Sequence, residues 1–243
     1  EEKSSRNFLK IRIYLKVVSL NKFSKQELEL FHSRLQKHID EQKKEWKSFI
    51  FAQQNGFYQG FDEIGIDGCR NTEKRFDRYN IENYLKKDHN ALDIGCNCGF
   101  FTIHVSKFIL NIDGVELNPY LINISNETKK FLQLDDVNFY NSSFEQFRTD
   151  KKYDVIFSLA NDETVDGLTK FTFEEYIGKI NNLLNKNGFL FWETVSPDTF
   201  EPERFKPKLE SLKKLFTIIE DKMVESEYPI NVPKRRFLIF QKE

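Results

Sequence analysis

A short apolar run followed by a glycine-containing turn is the most informative feature of the sequence. Residues 91–101 read Ala-Leu-Asp-Ile-Gly-Cys-Asn-Cys-Gly-Phe-Phe. Gly95 lets the chain turn sharply after a strand, and Gly99 lets a ligand approach the next helix without meeting a Cβ atom. The turn has fewer glycines than the three-glycine dinucleotide motif, whose pyrophosphate needs more free N–H groups. The pattern therefore favours a nucleoside that carries no phosphates.

A carboxylate at the end of the next predicted strand would complete such a site. The segment after the turn and its helix ends in Val115-Glu116-Leu117-Asn118. An acid at the carboxyl end of the second strand is placed to accept hydrogen bonds from ribose hydroxyls. Alone, Glu116 would indicate little, because acids at strand ends are common. Combined with the glycine turn, it predicts a ribose-binding carboxylate.

The elements that must position these residues alternate between strand and helix. Apolar runs and helical periodicity predict strands over 91–94, 112–116, 137–140, 153–159 and 189–193 and helices over 81–85, 100–110, 119–132 and 172–184. Strands separated by helices imply right-handed crossovers and a mostly parallel sheet with helices on both faces. The tail predicts a helix over 206–215 and two antiparallel strands, 216–223 and 236–241. The expected fold is a Rossmann-like, doubly wound α/β domain with seven strands.

The start of the chain predicts a helical cap. Ser24-Lys-Gln-Glu27 has the spacing of a capping box, and apolar residues follow at helical intervals, so we expect a helix from 25 to 46. Residues 8–20 are apolar and basic, and their state is ambiguous. We therefore divide the chain into a helical N-terminal cap over 1–70 and a Rossmann-like domain over 71–243.

Composition excludes several classes of protein. The 37 basic and 38 acidic residues among 243 leave a net charge of −1, so no overall positive field draws the chain to nucleic acid or anionic lipid. No apolar run approaches the roughly 18–20 residues of a membrane span. The three cysteines and the absence of a signal-peptide pattern at the first residues predict a cytoplasmic protein. Cys96 and Cys98 are too close for a Cys-x-x-Cys pair, and the four histidines are scattered, so we expect no metal site.

These motifs together resemble those of class I S-adenosylmethionine-dependent methyltransferases over about residues 70–243. The likeness rests on the 92–100 motif, Glu116, Ser142-Ser143-Phe144-Glu145 after the third strand, and the Tyr153–Ser158 strand. It implies S-adenosylmethionine as the cofactor. It also implies cofactor contacts by Asp93, Gly95, Cys96, Asn97, Gly99, Phe100, Glu116, Leu117, Ser143, Phe144, Leu159 and Ala160. Family members often have Asp where Ser143 stands, so adenine recognition is expected to depend on backbone groups.

A narrower resemblance lies upstream of the first strand. The segment Asp67-Gly-Cys-Arg-Asn-Thr-Glu-Lys-Arg-Phe-Asp-Arg78 is similar to segments in two methyltransferase groups. One group caps or decorates bacterial surface polysaccharides, and the other modifies tRNA wobble uridines with a carboxymethylated relative of the cofactor. The likeness implies that Arg75 binds the carboxylate of the cofactor, because Arg offers a bidentate fork to a planar anion. Arg70 and Arg78 are expected to face the acceptor or to lie on a solvated surface.

Candidate acid–base residues follow the fourth and fifth predicted strands. Methyl transfer from a sulfonium is an in-line displacement, so placing the acceptor and excluding water can supply much of the catalysis. An alcohol acceptor must still lose a proton. Asp162 or Glu163 after the fourth strand, or Glu193 at the end of the fifth, is the expected base, with Asn161 as an acceptor contact. The alternative reading of the 161–163 acids is helix capping or exposure to solvent.

The sequence therefore predicts a methyltransferase that modifies an oxygen, or less favourably a nitrogen, of a small polar acceptor. By likeness, the favoured acceptor is a sugar, a nucleotide-linked sugar or a phosphorylated precursor in surface-polysaccharide assembly. One alternative is a transferase acting on a tRNA wobble uridine, although the near-neutral charge weakens it and the basic run Pro233–Arg236 reads as a solvated edge. Another is a catalytically silent, cofactor-binding scaffold subunit.

Overall fold

The computed structural model describes residues 22–50, 56–163 and 167–243. Its main feature is a seven-stranded sheet with the order β5-β4-β3-β6-β7-β9-β8. The strands are β3 (Asn90–Ile94), β4 (Asn111–Glu116), β5 (Val137–Asn141), β6 (Tyr153–Leu159), β7 (Leu184–Glu193), β8 (Phe216–Glu225) and β9 (Lys234–Lys242), after a small parallel pair, β1 (Gln59–Gly60) and β2 (Arg70–Asn71). The five strands β3 to β7 are parallel to one another. Strand β9 pairs antiparallel with both β7 and β8. The predicted α/β architecture and its antiparallel C-terminal pair are confirmed.

Helices cover both faces of this sheet. They are α1 (Lys25–Glu45), α2 (Thr72–Tyr79), α3 (Phe100–Ser106), α4 (Pro119–Leu132), α5 (Phe173–Leu183), α6 (Ser196–Phe200) and α7 (Pro202–Lys213), with 3₁₀ turns at Asp62–Ile64 and Glu82–Tyr84. One apolar core lies between one face of the sheet and the helices α1, α3 and α4. A second apolar core lies between the other face of the sheet and the helices α5 and α7. Among the described residues, no helix combines the length and the apolar character that crossing a membrane requires.

The N-terminal helix α1 packs as a cap on α4. Its capping box forms as the sequence indicates, with the Ser24 side chain accepting from the backbone of Glu27 and the Glu27 side chain accepting from Ser24. Phe31 is fully buried and stacks on Phe131 of α4 with ring centroids 4.0 Å apart. The predicted helix over 25–46 is thus confirmed to within one residue. Residues 1–21, which include the ambiguous stretch 8–20, lie outside the described residues.

Several predicted elements differ in their bounds from the observed ones; the helix expected over 206–215, for example, is α7 at Pro202–Lys213. The helix expected over 81–85 is only the 3₁₀ turn Glu82–Tyr84, and the helix expected over 100–110 ends at Ser106. It ends early because the backbone N–H of Leu110 donates to the carbonyl of His89 (2.9 Å) and starts the register of β4. Strand β7 begins at Leu184 rather than 189, because a register irregularity opposite β6 accommodates the intervening polar residues.

The connection order places a crevice at the carboxyl ends of the central strands. From β3 the chain runs outward through β4 to β5 and then returns to β6 on the other side of β3. In open parallel sheets, ligands bind at this reversal, because the loops leaving the two central strands diverge there. The predicted glycine turn follows β3, and the 160–163 segment follows β6, so both border the crevice.

Candidate functional site

A cavity of about 590 Å³ lies at the carboxyl ends of β3, β4 and β6. Cap residues Ile39, Gln42 and Trp46 form part of its wall. The predicted site residues that line it are Arg75, Asp93, Gly95, Asn97, Glu116, Leu117, Ser143, Phe144, Leu159, Ala160, Asn161 and Glu163. Seven other predicted residues are not among its described lining residues: Arg70, Arg78, Cys96, Gly99, Phe100, Asp162 and Glu193. Sequence reasoning therefore located the cavity, but it assigned several charged residues to it that the fold places elsewhere.

The glycine turn depends on the absence of side chains at two positions. Gly95 has φ +64°, and a Cβ atom there would lie 2.8 Å from Nδ2 of Asn161. Gly99 has φ +71°, and its Cβ would lie 2.6 Å from the Phe139 ring. Glycine adopts such angles more readily than residues that carry a Cβ atom. The missing Cβ of Gly99 makes room for the packing of Phe139.

Glu116 is fixed at the cavity wall by two backbone donors. The N–H of Asn97 donates to Oε2 (3.1 Å) and the N–H of Asn118 donates to Oε1 (2.9 Å). The carboxylate thus ties the glycine turn to the end of β4. Since it is oriented before any ligand binds, it is suited to accept hydrogen bonds from a ribose at low entropic cost.

Asp93 is a second carboxylate in the wall, at the end of β3. Thr102 donates a hydrogen bond to it (2.6 Å), and its side chain is buried. Burial raises the pKa of Asp93 to about 7, against the opposing effects of the Thr102 hydroxyl and the Arg75 charge. A cationic group of a ligand would stabilise the ionised carboxylate of Asp93, so this buried acid is suited to bind such a group.

Gln59 is a site residue that sequence reasoning missed. It is buried on β1, its Nε2 donates to the carbonyl of Cys96 (3.2 Å), and its Oε1 accepts from the N–H of Phe100 (3.0 Å). One amide therefore holds both ends of the glycine turn. No sequence signal pointed to it, because its partners lie about forty residues away and β1 has only two residues.

Replacing Gln59 by leucine should lower the free energy of unfolding by about 1–3 kcal/mol, because the Phe100 N–H would be buried without an acceptor. Urea denaturation measures this change. Gln146→Leu serves as the matched control, since the Gln146 side chain is exposed and should cost less than about 0.5 kcal/mol. Equal effects of the two substitutions would contradict the role assigned to Gln59.

Glu193, an expected general base, is instead the centre of a buried charge cluster. Its carboxylate accepts from Arg70 Nη1 (2.7 Å), Arg75 Nη2 (3.2 Å) and the Tyr79 hydroxyl, and Arg235 Nε lies 3.5 Å from it. Burial alone would raise the pKa of Glu193, but Arg70 and Arg75 outweigh it and lower the pKa to about 2. A carboxylate this weakly basic and fully enclosed is unsuited to take a proton. We refer to Glu193, Arg70, Arg75 and Arg235 as the arginine cluster.

The three arginines of the 67–78 segment have different environments. Arg70 is buried behind the cavity wall against Glu193, and Arg78 pairs at the surface with Glu227 (2.5 Å). Only Arg75 lines the cavity. Arg70 and Arg78 are thus not placed to contact an acceptor. Arg235, read from the sequence as part of a solvated basic run, is buried and lines the cavity.

The acids after β6 form an ion-pair network with α7. Lys208 Nζ lies 2.6 Å from Asp162 Oδ2, 2.6 Å from Asp198 Oδ2 and 2.8 Å from Glu163 Oε1. Burial raises the pKa of Asp162, whereas Lys208 and Arg204 overcome burial and lower the pKa of Glu163. The three carboxylates are close enough together to ligate a cation. The Lys208 ammonium is already bound to all three, so we assign no metal to them.

Asn161 lines the cavity while its side chain connects two strands. Its Nδ2 donates to the carbonyl of Ile94 on β3, and its Oδ1 accepts from Ser158 (2.9 Å) and Tyr176 (2.9 Å). These bonds hold the ends of β3 and β6 together. The Asn161 side chain therefore stabilises the strand ends, in addition to the acceptor contact that the sequence suggested.

The described lining residues fit an adenosyl cofactor. The Glu116 carboxylate is positioned to accept hydrogen bonds from a ribose, and Leu117 and Phe144 also line the cavity. Asp93 and Arg75 provide a negative and a positive charge, which match the ammonium and the carboxylate of an amino-acid group. Gly95 leaves the turn without a Cβ that would collide with Asn161. The lining contains carboxylates, guanidinium groups and aromatic rings, which suits a nucleoside linked to a zwitterion.

Comparisons with known proteins agree with this reading. A family model described as "Methyltransferase domain" matches residues 58–219, which is more than half of the chain. Malonyl-[acyl-carrier protein] O-methyltransferase 1 from Ilyobacter polytropus is 31% identical over 127 residues, covering 49% of this chain and 46% of that protein. A second enzyme of the same name and organism is 29% identical over 146 residues, covering 55% and 54%. The chain thus spans about half the length of the curated relatives it matches.

Solved structures share the fold at low sequence identity. The N-methyltransferase NodS from Bradyrhizobium japonicum WM9 has a TM-score of 0.54 at 15% identity and covers 70% of this chain and 97% of its own. A methyltransferase from Pyrococcus furiosus has a TM-score of 0.56 at 15% identity, covering 87% and 97%. NodS has also been crystallised with S-adenosyl-L-homocysteine. By its family match and its fold, the chain belongs to the methyltransferase domain family.

Proposed function

We propose that this enzyme transfers the methyl group of S-adenosylmethionine to an oxygen atom of a small polar acceptor. The observation that carries the proposal is that one cavity is lined both by the residues around Glu116 and by a second set. This second set comes from the β7–α6 connection, the start of α6, the β8–β9 connection and the start of β9. The second set includes Val195, Ser196, Tyr228 and Arg235. A cavity with both walls can hold donor and acceptor side by side, as an in-line displacement requires.

In this proposal the cofactor supplies an electrophilic methyl group on a sulfonium. Glu116 binds the ribose, Arg75 binds the carboxylate of the methionine part, and Asp93 faces its ammonium group. Leu159 and Ala160 line the wall after β6, and the backbone of Ala160, at φ +62°, is held by a hydrogen bond to the carbonyl of Glu193 (2.9 Å). The cap helix and the Trp46 side chain exclude water from the donor side of the cavity.

The resemblance of the Asp67–Arg78 segment supports a sugar, nucleotide-linked sugar or phosphorylated precursor of a surface polysaccharide as the acceptor class. The two curated relatives from Ilyobacter polytropus are O-methyltransferases, which supports transfer to oxygen. A tRNA acceptor receives less support, since Arg78 pairs with Glu227 and Arg236 pairs with Asp221. Each pair engages a basic side chain that would otherwise be available to a phosphate.

Turnover with a labelled cofactor tests the proposal. The enzyme is incubated with methyl-labelled S-adenosylmethionine and a small-molecule extract, and label transfer is compared with that to bulk tRNA. We expect label in the small-molecule pool and no salt-sensitive retention on immobilised tRNA. Label in tRNA would favour the wobble-uridine alternative. Calorimetric cofactor binding without transfer to any pool would favour the scaffold alternative, and no cofactor binding would contradict the proposal itself.

A further inference from the structure

Two neighbouring loops contribute to opposite functions of the cavity wall. The β6 loop (residues 160–163) borders the cofactor side in the proposed function, and the β7 loop (residues 194–198), which includes the start of α6, borders the acceptor side. Among the described residues, the last backbone hydrogen bond between these two chain segments is donated by the N–H of Ala160 to the carbonyl of Glu193 (2.9 Å). Beyond that bond, the separation of the two loops depends on side chains.

Lys208 of α7 joins the two loops through their buried carboxylates. Its Nζ lies 2.6 Å from Oδ2 of Asp162 and 2.6 Å from Oδ2 of Asp198, and both acid side chains are fully buried. Asp162 stands between two lining residues of the β6 loop, and Asp198 directly follows Pro197, a lining residue of the β7 loop. A change at the Lys208 ammonium would therefore be transmitted to both sides of the cavity.

Lys208 is the stronger of two ionic connections between the loops. Burial lowers the pKa of its ammonium, but the charge of Asp162 and hydrogen bonds to the surrounding carboxylates outweigh burial and raise the pKa. Arg204 forms the other connection, to Asp198 (3.0 Å) and Glu163 (2.5 Å), but its side chain is 37% exposed. Solvent screens exposed ion pairs, so they restrain their partners less than buried ones do.

Resting on the proposed function, we infer that Lys208 is a positioning residue for methyl transfer, which holds the cofactor and acceptor sides of the cavity at the separation that an in-line displacement requires. Lys208 is not among the described residues that line the cavity, so it acts through Asp162 and Asp198 rather than by contact with the reactants. Misplacing reacting atoms by about 1 Å can cost roughly a hundredfold in rate. One buried ion-pair bridge can therefore control turnover.

The carboxylates around Lys208 offer a way to remove the lysine and replace its charge. One oxygen each from Asp162, Glu163 and Asp198 lie within 4.8 Å of one another. Calcium binds carboxylate oxygens at about 2.3–2.6 Å, so a single ion can contact all three oxygens once the lysine side chain is gone. In Lys208→Ala, we expect Ca²⁺ to take the place of the ammonium and to reconnect the two loops.

Calorimetric titration of the full chain with Ca²⁺ is the first measurement. We expect Lys208→Ala to bind one Ca²⁺ with a dissociation constant of about a millimolar or tighter, and the wild type to bind it at least about tenfold more weakly. Adding Asp198→Asn to Lys208→Ala should abolish the binding. Ca²⁺ should also raise the melting temperature of Lys208→Ala and leave that of the wild type unchanged, because only the variant binds the ion when folded.

Label transfer is the second measurement. Each protein is assayed with methyl-labelled S-adenosylmethionine and serial dilutions of the small-molecule extract, which separate the plateau rate from the half-saturating dilution. We expect Lys208→Ala to lower the plateau rate at least about tenfold, and to change the half-saturating dilution and S-adenosyl-L-homocysteine affinity less than about twofold. Millimolar Ca²⁺ should restore most of the lost rate and leave the wild type unaffected. Lys206→Ala, which removes an exposed lysine of the same helix, is the matched control and should change none of these quantities.

Four results would overturn the inference: no Ca²⁺ binding by Lys208→Ala, an undiminished plateau rate in this variant, a lost rate that bound Ca²⁺ does not restore, or an equal loss of S-adenosyl-L-homocysteine affinity. The last would assign Lys208 to donor binding. Lys208→Gln gives a second reading if Lys208→Ala does not fold, since its plateau rate should fall likewise and an unchanged rate contradicts the positioning role. Failure of the proposed function is distinguishable, because the wild type would then transfer no label to the small-molecule pool, whereas Ca²⁺ binding by Lys208→Ala requires no turnover.

Discussion

Replacing Glu193 by alanine should lower the free energy of unfolding by about 3–5 kcal/mol, which is the cost of breaking a buried ion pair by removing one partner. Glu193 is fully buried and is the carboxylate on which Arg70, Arg75 and Arg235 converge. Without it, three guanidinium groups would remain buried beside one another. Urea denaturation followed by fluorescence and circular dichroism measures the loss.

Glu225→Ala is the control for this substitution. Glu225 pairs with Arg78 at 3.7 Å, but its side chain is 74% exposed, so its removal should cost less than about 1 kcal/mol. If Glu193→Ala were as mild as the control, the arginine cluster would not stabilise the fold in the way that its geometry indicates.

Acid titration of stability gives the same group a second signature. The pKa of Glu193 in the folded protein is about 2, below its usual 4.5. A lowered folded pKa means that the unfolded chain binds the proton more tightly, so this stabilisation is fully present above about pH 4.5 and is lost as the pH falls toward 2. In Glu193→Gln, that part of the pH dependence should be absent. An unchanged acid profile in this variant would contradict the low pKa.

Replacing Glu116 by alanine should weaken binding of S-adenosylmethionine about 10- to 150-fold. The physical reason is the loss of a charged acceptor for the ribose hydroxyls, which contributes about 1.5–3 kcal/mol. The carboxylate also accepts from the N–H groups of Asn97 and Asn118, so its loss loosens the glycine turn. Isothermal titration calorimetry with the cofactor and with S-adenosyl-L-homocysteine measures the effect.

The matched control is Glu203→Ala, which removes an exposed acid of α7 and should leave cofactor affinity unchanged. Thermal melts without ligand separate a loss of binding from a loss of folding. Unaltered cofactor affinity in Glu116→Ala would mean that the ribose lies elsewhere in the cavity.

The arginine cluster also joins the Asp67–Arg78 segment to the sheet. Arg70 lies on β2 and Arg75 on α2, whereas Glu193 ends β7 and Arg235 lies on β9. One carboxylate therefore connects this segment, the central sheet and the antiparallel C-terminal strands. In the proposed reaction, this connection would keep the donor and acceptor ends of the cavity at a fixed separation, as methyl transfer requires.

Local signals were sufficient for the elements that present the cofactor residues. The capping box at Ser24, the apolar run over 153–159 and the helix over 119–132 were all predicted within a residue or two, because each depends on neighbours in the sequence. The glycine turn and Glu116 followed as well, since the ends of consecutive parallel strands must meet at one edge of a sheet.

Partner choice among the charged side chains was not contained in local patterns. The resemblance assigned Arg75 to the cofactor carboxylate and left Arg70 and Arg78 facing the acceptor or the solvent. The fold instead buries Arg70 and pairs Arg78 with Glu227, and it brings Arg75 to the cavity. Asp162 was one of the expected bases, but in the fold Lys208 of α7 forms an ion pair with its carboxylate. Each outcome depends on contacts between residues far apart in the chain.

The sequence by itself determined that this chain forms a mostly parallel α/β sheet and that a glycine turn after β3 borders its main cavity. The tertiary structure alone decided that Glu193 is enclosed by arginines and that Arg235 lies at the cavity. The physical reason is the register of β9 on β7, which pairs Phe237 with Glu193 and so sets Arg235 beside the end of β7. Burial then fixes the charge state and the partners of these groups, because a charge removed from water must find its counter-charge within the fold.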